Sequence, residues 1–225
     1  IVERRRIRSN RSLAGTKKIG TIAEGLTTLG HSVHILSLGT IAENSRRVYG
    51  VDHETLPVTS VEASICVFYA ATWDVRRVGT AVSTVSLLRV LRRLFKKGRY
   101  EAVILYNCTA CTVLAGLYSR YLRKVPAILE YEDSATASRC SAPPSWKRVF
   151  RLYEYAMARV VSAVFAPSRE LTEQIRVSVK QVIPGAISSK LCESSLLRET
   201  EARRVARDRT QILYAGALDP SKGVD

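Results

Sequence analysis

The stretch Ala102-Val103-Ile104-Leu105-Tyr106 decides the fold of this 225-residue chain. Its apolar side chains do not alternate with polar ones, and such runs are typical of strands buried on both faces of a parallel sheet. The run ends in Asn107-Cys108-Thr109-Ala110-Cys111, where another helix is predicted. Open α/β sheets bind ligands at the carboxyl ends of their strands, so Asn107 is predicted to touch a ligand.

Helical and strand patterns alternate on both sides of this run. Apolar residues recur at spacings of three and four after Gly15, which predicts a helix that stops at Gly30. A second helix is predicted over 78–97, with Val82 and Val85 on its apolar side, and residues 46–60 are predicted to be loop with one short strand. Further strands are predicted at 33–38, 64–69, 126–130, 162–166 and 182–183, and further helices at 146–159 and from residue 170. The alternation predicts an α/β protein with a doubly wound, Rossmann-like parallel sheet.

Three carboxylates follow another apolar run, in Pro126-Ala127-Ile128-Leu129-Glu130-Tyr131-Glu132-Asp133. A solvated loop would account for them. Carboxylates at the carboxyl edge of a parallel sheet also face the binding crevice, where they can orient hydroxyl groups or stabilise developing positive charge. Glu132 and Asp133 are therefore candidate catalytic residues.

The charge of the chain indicates an anionic partner. Lys and Arg number 35 against 20 Asp and Glu, a formal net charge of +15. Nucleic acid, anionic lipid and phosphorylated ligands all fit this excess. Aromatic residues make up only 7% of the chain and the cations are dispersed, which disfavours a nucleic-acid-binding module. The cations near the end of the 78–97 helix either face water or dock on an anionic membrane surface.

Cysteine usage and hydropathy suggest a compartment. Five cysteines is an odd number, and the sequence shows neither a signal peptide nor an apolar run long enough to span a membrane. We expect a cytoplasmic protein with at most peripheral contact at the inner membrane surface. The pair Cys108 and Cys111 has the spacing and position of a redox dithiol, but lacks the neighbours of such sites or of a zinc set.

A second informative stretch is Gln211-Ile212-Leu213-Tyr214-Ala215-Gly216-Ala217-Leu218-Asp219-Pro220-Ser221-Lys222-Gly223. A strand pattern leads into a flexible cationic loop, in which glycine lets backbone N–H groups approach phosphate oxygens and lysine supplies charge. This stretch resembles the loop that opens the second domain of family 4 retaining glycosyltransferases of the GT-B fold. Gly216, Lys222 and Gly223 match the diphosphate-binding positions of that family, and Ala217 stands where arginine is usual.

Two further segments carry the resemblance. Gly15 matches the second glycine of the turn before the first helix in that family, while Ala14 replaces the first. The Glu-Tyr-Glu-Asp segment ending at Asp133 is similar to a loop of the family, and Glu132 falls at a position that many members fill with a histidine. The resemblance implies that Gly15, Gly216 and Lys222 bind the donor and that Asn107 binds the acceptor. No metal or other cofactor is expected.

The resemblance also implies a domain organisation. Residues 1–187 would form the acceptor-side domain, without a visible first strand, and residues 188–225 a linker with the first strand and loop of a truncated nucleotide-sugar domain. The implied reaction of the complete enzyme moves a sugar from a nucleotide-diphosphate sugar to a hydroxyl of a glycan or lipid-linked acceptor, with retention. We expect residues 1–225 alone to be inactive. The alternatives are a basic polyanion-binding module and an inactive transferase remnant.

Overall fold

A computed structural model describes residues 13–38, 48–58, 62–73, 75, 78–133 and 144–183, and side chains within these ranges except at 13–17 and 144–147. In chain order, the elements are α1 (Leu13–Thr28), β1 (His34–Ser37), β2 (Val48–Tyr49), β3 (Asp52–Val58), β4 (Ala63–Tyr69), β5 (Thr72–Trp73), α2 (Val78–Lys97), β6 (Val103–Tyr106), α3 (Ala110–Leu117), a π-helical turn (Tyr118–Leu122), β7 (Ala127–Glu130), α4 (Pro144–Val160), β8 (Ala163–Ala166), α5 (Arg169–Gln174) and β9 (Val179–Val182). The segment 188–225 lies outside the described residues.

The larger sheet is parallel throughout and has the order β6-β7-β8-β9. β6 pairs with β7 from Val103 opposite Ala127 to Tyr106 opposite Glu130. Helices α3, α4 and α5 connect its strands in sequence, which is the alternation that favours parallel pairing. The predicted α/β fold with a Rossmann-like parallel sheet is confirmed.

A second sheet has the order β1-β4-β3, in which β1 and β4 are parallel. Residues 46–60 were predicted to be loop with one short strand. The structure differs in the extent of the strand, because β3 forms a seven-residue antiparallel ladder with β4. The segment contains two acids and a proline, which are depleted in strands. Hydrogen bonding to a neighbouring strand therefore decides its conformation. In the described residues β1 and β6 belong to different sheets. A hydrogen bond links the two regions, since the hydroxyl of Tyr100, which precedes β6, lies 2.9 Å from Nδ1 of His34 in β1.

The main hydrophobic core lies between the larger sheet and its helices. Its members include Leu105 of β6, Leu129 of β7, Met157 of α4 and Val164 of β8, all nearly inaccessible to solvent. Ala127, Leu129 and Tyr131 are completely buried on one side of β7, and Glu130 is buried on the other. β7 is therefore covered on both faces, as its continuous apolar sequence predicts.

Helix α2 packs its Leu87, Leu91 and Phe95 side into this core. The predicted helix is confirmed at both ends, but Val85 is 48% exposed, so its placement on the buried side was wrong. Buried serine and threonine residues occupy the turns of α2 next to β4 and β5 instead, and the Ser86 hydroxyl accepts a hydrogen bond from the Ala71 N–H. None of the helices in the described ranges is both long and apolar enough to cross a bilayer.

Candidate functional site

The site begins where β6 and β7 end side by side. Asn107, directly after β6, has a left-handed backbone with φ of 57°, and its N–H donates to the Glu130 carbonyl at 2.8 Å. Its side-chain Oδ1 accepts from the N–H groups of Glu132 at 2.8 Å and Asp133 at 3.1 Å. Asparagine tolerates this backbone region better than most residues. Asn107 thus fixes the turn that carries both predicted catalytic carboxylates.

Residues at the beginning of α3 fix the backbone of Asn107 by hydrogen bonding. Thr109 is the N-cap residue and forms a reciprocal capping box with Thr112. The Thr112 hydroxyl also donates to the Asn107 carbonyl at 2.8 Å. The strand end, the turn and the helix start therefore form one hydrogen-bonded unit.

A buried lysine joins the carboxylates. Lys18 of α1 forms an ion pair with Glu130 Oε1, and its Nζ lies 3.2 Å from Glu132 Oε1. The side chains of Lys18 and Glu130 are only 9% and 1% exposed. Tyr106 donates its hydroxyl hydrogen to Glu132 Oε2 at 2.5 Å. Both oxygens of Glu132 are thereby oriented, while the Glu132 side chain keeps 29% of its surface exposed.

The second oxygen of Glu130, Oε2, is buried without a hydrogen-bond partner among the described residues. Burial is the largest influence on this carboxyl and raises its pKa, although Lys18 acts in the opposite direction. Burial would lower the pKa of Lys18, but hydrogen bonding and charge from Glu130 and Glu132 raise it above its usual value. The cation of Lys18 is thus held in place by its two carboxylate neighbours.

Tyr106 is a hydrogen-bond donor over an unusually wide pH range. Burial, followed by the hydrogen bond to Glu132 and the nearby carboxylates, raises its pKa above the ordinary tyrosine value. Lys18 pairs with two carboxylates, Glu130 and Glu132, and Asp133 follows in the same turn, so carboxylates outnumber the lysine in this cluster of a strongly basic protein. Such a surface accepts hydrogen bonds from hydroxyl groups and repels phosphate.

The structure brings together three of the predicted site residues. The other predicted site residues lie elsewhere on α1 or outside the described residues. Asn107, Glu132 and Asp133 lie at one edge of the larger sheet. Gly15 is the third described residue of α1, the helix that also carries Lys18. The predicted donor-binding residues Gly216 and Lys222, together with Ala217 and Gly223, fall outside the described residues.

Sequence reasoning missed Lys18, Tyr106 and the burial of Glu130. Two signals were available for the first two: Tyr106 is the last residue of a predicted strand, and Lys18 follows the candidate glycine Gly15 by one helical turn. The burial of Glu130 has no comparable signal, because it depends on which helix covers that face of β7.

The dithiol interpretation of Cys108 and Cys111 fails on burial. Both residues are free thiols in the main core. Burial raises the pKa of Cys108 to about 12 and also raises that of Cys111, so neither forms a reactive thiolate near neutral pH. Across the described ranges, His, Cys, Asp and Glu residues form no group of three or more that could hold a metal ion. The expectation of a metal-free reaction remains a prediction.

Comparison with known proteins identifies the family of the chain. No curated protein matches the chain. A family model described as "Glycosyl transferase 4-like domain" matches residues 15–183, three quarters of the sequence. The match begins at the first turn of α1, includes every described strand from β1 to β9 and ends one residue after β9. It includes every described member of the carboxylate cluster. Because the match covers three quarters of the sequence, the chain belongs to the glycosyl transferase 4-like domain family.

Proposed function

We propose that this protein transfers a sugar from a nucleotide-diphosphate sugar to an acceptor hydroxyl with retained anomeric configuration, in the synthesis of a glycan, polysaccharide or glycolipid. The family supports a glycosyltransferase in general terms. The finer assignment is supported chiefly by one observation, the pairing of Glu130 and Glu132 with Lys18 at the carboxyl edge of the larger sheet, with Asp133 next in the same turn.

The cluster suits the acceptor side of such a reaction. Glu132 is held by Tyr106 and Lys18 yet remains partly exposed, so it can accept a hydrogen bond from an incoming hydroxyl without reorganising. Asp133 is exposed beside it. Asn107 offers its side-chain nitrogen as a donor, because its oxygen is taken by two backbone N–H groups. We assign these three residues to the acceptor.

Lys18 is a positioning residue in this proposal. A lysine near Gly15 could bind the donor diphosphate, but its charge is already shared by two carboxylates. We therefore assign the diphosphate to the first turn of α1 at Gly15 and to Gly216 and Lys222. Backbone N–H groups at a helix start and a lysine ammonium both stabilise a departing anion.

The transfer then requires little chemistry from the protein itself. The bond between the anomeric carbon and the diphosphate oxygen breaks, and its electron pair leaves with the diphosphate. The acceptor oxygen gives up its proton to the departing diphosphate oxygen and bonds to the same face of the sugar. The proposed contribution of Glu132 and Asp133 is to hold the acceptor oxygen within reach of the anomeric carbon. Such positioning can remove a large part of the activation free energy of a reaction.

The acceptor assignment can be tested by ligand-observed NMR with a panel of free glycosides and with nucleotide-diphosphate sugars. We expect at least one uncharged glycoside to bind, and Glu132→Gln and Asp133→Asn to weaken its binding, because an amide replaces a hydrogen-bond-accepting carboxylate. Release of nucleoside diphosphate, followed by ³¹P NMR in the same samples, reports transfer or hydrolysis.

The matched control is Glu173→Gln, which removes an exposed carboxylate that pairs with Lys180 away from the cluster. This variant should bind the glycoside as the parent does. Binding that survives both cluster substitutions would overturn the assignment, and so would a folded protein that binds no member of the glycoside panel.

A further inference from the structure

A cluster of exposed apolar side chains lies on the far side of α2 from the main core. Val48 of β2 and Trp73 of β5 are paired and are 71% and 40% exposed. Val51 follows β2, and Val78 and Val85 stand on the first half of α2, each between 42% and 48% exposed. Val48 stands opposite Trp73 across the β2–β5 pair, and Val51 and Val85 line one groove. We refer to these five side chains as the apolar patch, since exposed apolar groups of this kind often mark interaction sites.

A groove of about 460 Å³ runs along α2 beside this patch. Most of its lining residues are apolar, and two arginines line it as well. The lining residues are Val51, Ala71, Ala81, Val82, Val85, Ser86, Arg89, Val90 and Arg93. The groove therefore joins an apolar channel to a pair of guanidinium groups one helical turn apart.

The second half of α2 is strongly basic. Arg89, Arg92, Arg93, Lys96 and Lys97 are exposed on it. Within the described residues, none of these five cations contacts a carboxylate. One face of a single helix thus passes from apolar to cationic, with a tryptophan at its apolar end.

We propose that this surface, formed by β2, β5 and α2, docks on an anionic lipid bilayer. The valines and Trp73 would enter the headgroup region, the groove would take part of an acyl chain, and the arginines and lysines would contact lipid phosphates. Tryptophan beside a basic, amphipathic helix is the combination that favours this interface.

Two other occupants fit less well. A second copy of the chain would bring the same five cations face to face, which electrostatic repulsion opposes. A nucleic acid would use the cations but leave the groove and the valines without a role. The lipid assignment does not depend on glycosyl transfer, because its test contains no sugar.

Co-sedimentation with vesicles tests the proposal. We expect the protein to sediment with vesicles of phosphatidylcholine mixed with phosphatidylglycerol, and not with phosphatidylcholine alone. The pair Arg89→Ala and Arg93→Ala should weaken partitioning roughly tenfold or more, since each cation near the surface contributes to binding. Val85→Asp should weaken it as well, because it places a carboxylate in the apolar patch.

The control pair is Arg148→Ala and Arg151→Ala, which removes two exposed arginines from α4 instead of α2. It should partition like the parent. A second readout uses fluorescence: the chain has two tryptophans, so Trp146→Phe leaves Trp73 as the reporter. Its emission should shift to shorter wavelength on anionic vesicles.

Several outcomes would overturn the proposal. One is equal binding to both kinds of vesicle, and another is equal loss in the α2 and α4 pairs, which would mean that only net charge matters. A dimer in solution that Val85→Asp dissociates would assign the patch to a second copy. Binding of an oligonucleotide that competes with vesicles and ignores Val85→Asp would assign the cations to nucleic acid.

Discussion

At the residue scale, the ion pair between Lys18 and Glu130 is the most consequential contact of the site. Both side chains are almost fully buried, so both lost their hydration on folding. Their mutual attraction offsets that cost only while both partners are present. The pair also orients Glu132 through Lys18 Nζ, and so it couples the stability of the fold to the geometry of the carboxylate cluster.

Removing one partner should therefore be costly. Lys18→Met is expected to lower the free energy of unfolding by about 3–5 kcal/mol, because it leaves Glu130 charged and alone in the interior. Urea unfolding followed by circular dichroism measures the change. The double variant Lys18→Met, Glu130→Leu should recover most of the loss.

The matched control is Lys180→Met, which breaks the more exposed pair between Lys180 and Glu173. Exposed ion pairs contribute little, so this variant should unfold nearly as the parent does. Equal effects of Lys18→Met and Lys180→Met would contradict the assigned burial of Lys18.

The same lysine predicts a pH dependence. The pKa of Lys18 in the folded protein lies above the unfolded value of 10.5, so its contribution is complete below that pH and is lost as the pH rises through the folded value. Tyr106 acts in the same direction, because its pKa is also raised. Urea midpoints measured from about pH 9 to about pH 11 should fall less steeply in Lys18→Met, Glu130→Leu than in the parent. Parallel pH profiles of the two proteins would exclude this linkage.

At the element scale, close packing of α3 against its neighbours explains why residue 116 is a glycine. A Cβ added at Gly116 would lie 2.6 Å from Val160 Cγ1 and 2.8 Å from Leu105 Cδ1. The helix therefore approaches β6 and α4 at a distance that only glycine allows. This approach places Thr109 and Thr112 where they hold the Asn107 turn.

Two glycine substitutions should have opposite effects. Gly116→Ala is expected to destabilise the protein by about 1–3 kcal/mol, because the core must move to accept a methyl group. Gly25→Ala, three residues before the end of α1 with open space around the added Cβ, should instead stabilise it by about 0.5–1 kcal/mol. Thermal unfolding of both variants decides the point. A stabilising Gly116→Ala would mean that α3 packs less closely than described.

At the scale of the whole molecule, the net charge and the charge of the site have opposite signs. The chain carries a formal charge of +15, while the cluster around Lys18 is rich in carboxylates. Self-repulsion of a strongly charged protein destabilises the compact state. The basic surface attracts anionic partners, and the acidic cluster can still receive an uncharged hydroxyl.

Salt should therefore stabilise the protein. Raising NaCl from about 20 mM to about 300 mM shortens the screening length to a few ångströms and weakens repulsion among surface cations, so the melting temperature should rise. The buried pair of Lys18 and Glu130 is screened little. Differential scanning calorimetry in both buffers measures the shift. A falling melting temperature would show that attractive surface pairs dominate.

Local pattern predicted much of the fold and part of the site. The continuous apolar runs of β6 and β7 predicted parallel strands, and the acids after β7 predicted Glu132 and Asp133 as site residues. Pattern failed at β3, because its acids and proline are unfavourable in strands and the strand forms only through pairing with β4. It failed again at Val85, which has the spacing of a core residue but faces solvent.

The sequence by itself determined that β6, β7 and β8 run parallel and where their carboxyl ends lie, because alternation and apolar runs are local properties that allow few topologies. Only the tertiary structure decided that Lys18 reaches across from α1 to Glu130 and Glu132, that Tyr106 orients Glu132, and that Asn107 ties the turn together. The reason is physical. Each of these contacts joins residues distant in the chain, and its existence depends on how helices and strands pack rather than on any local preference.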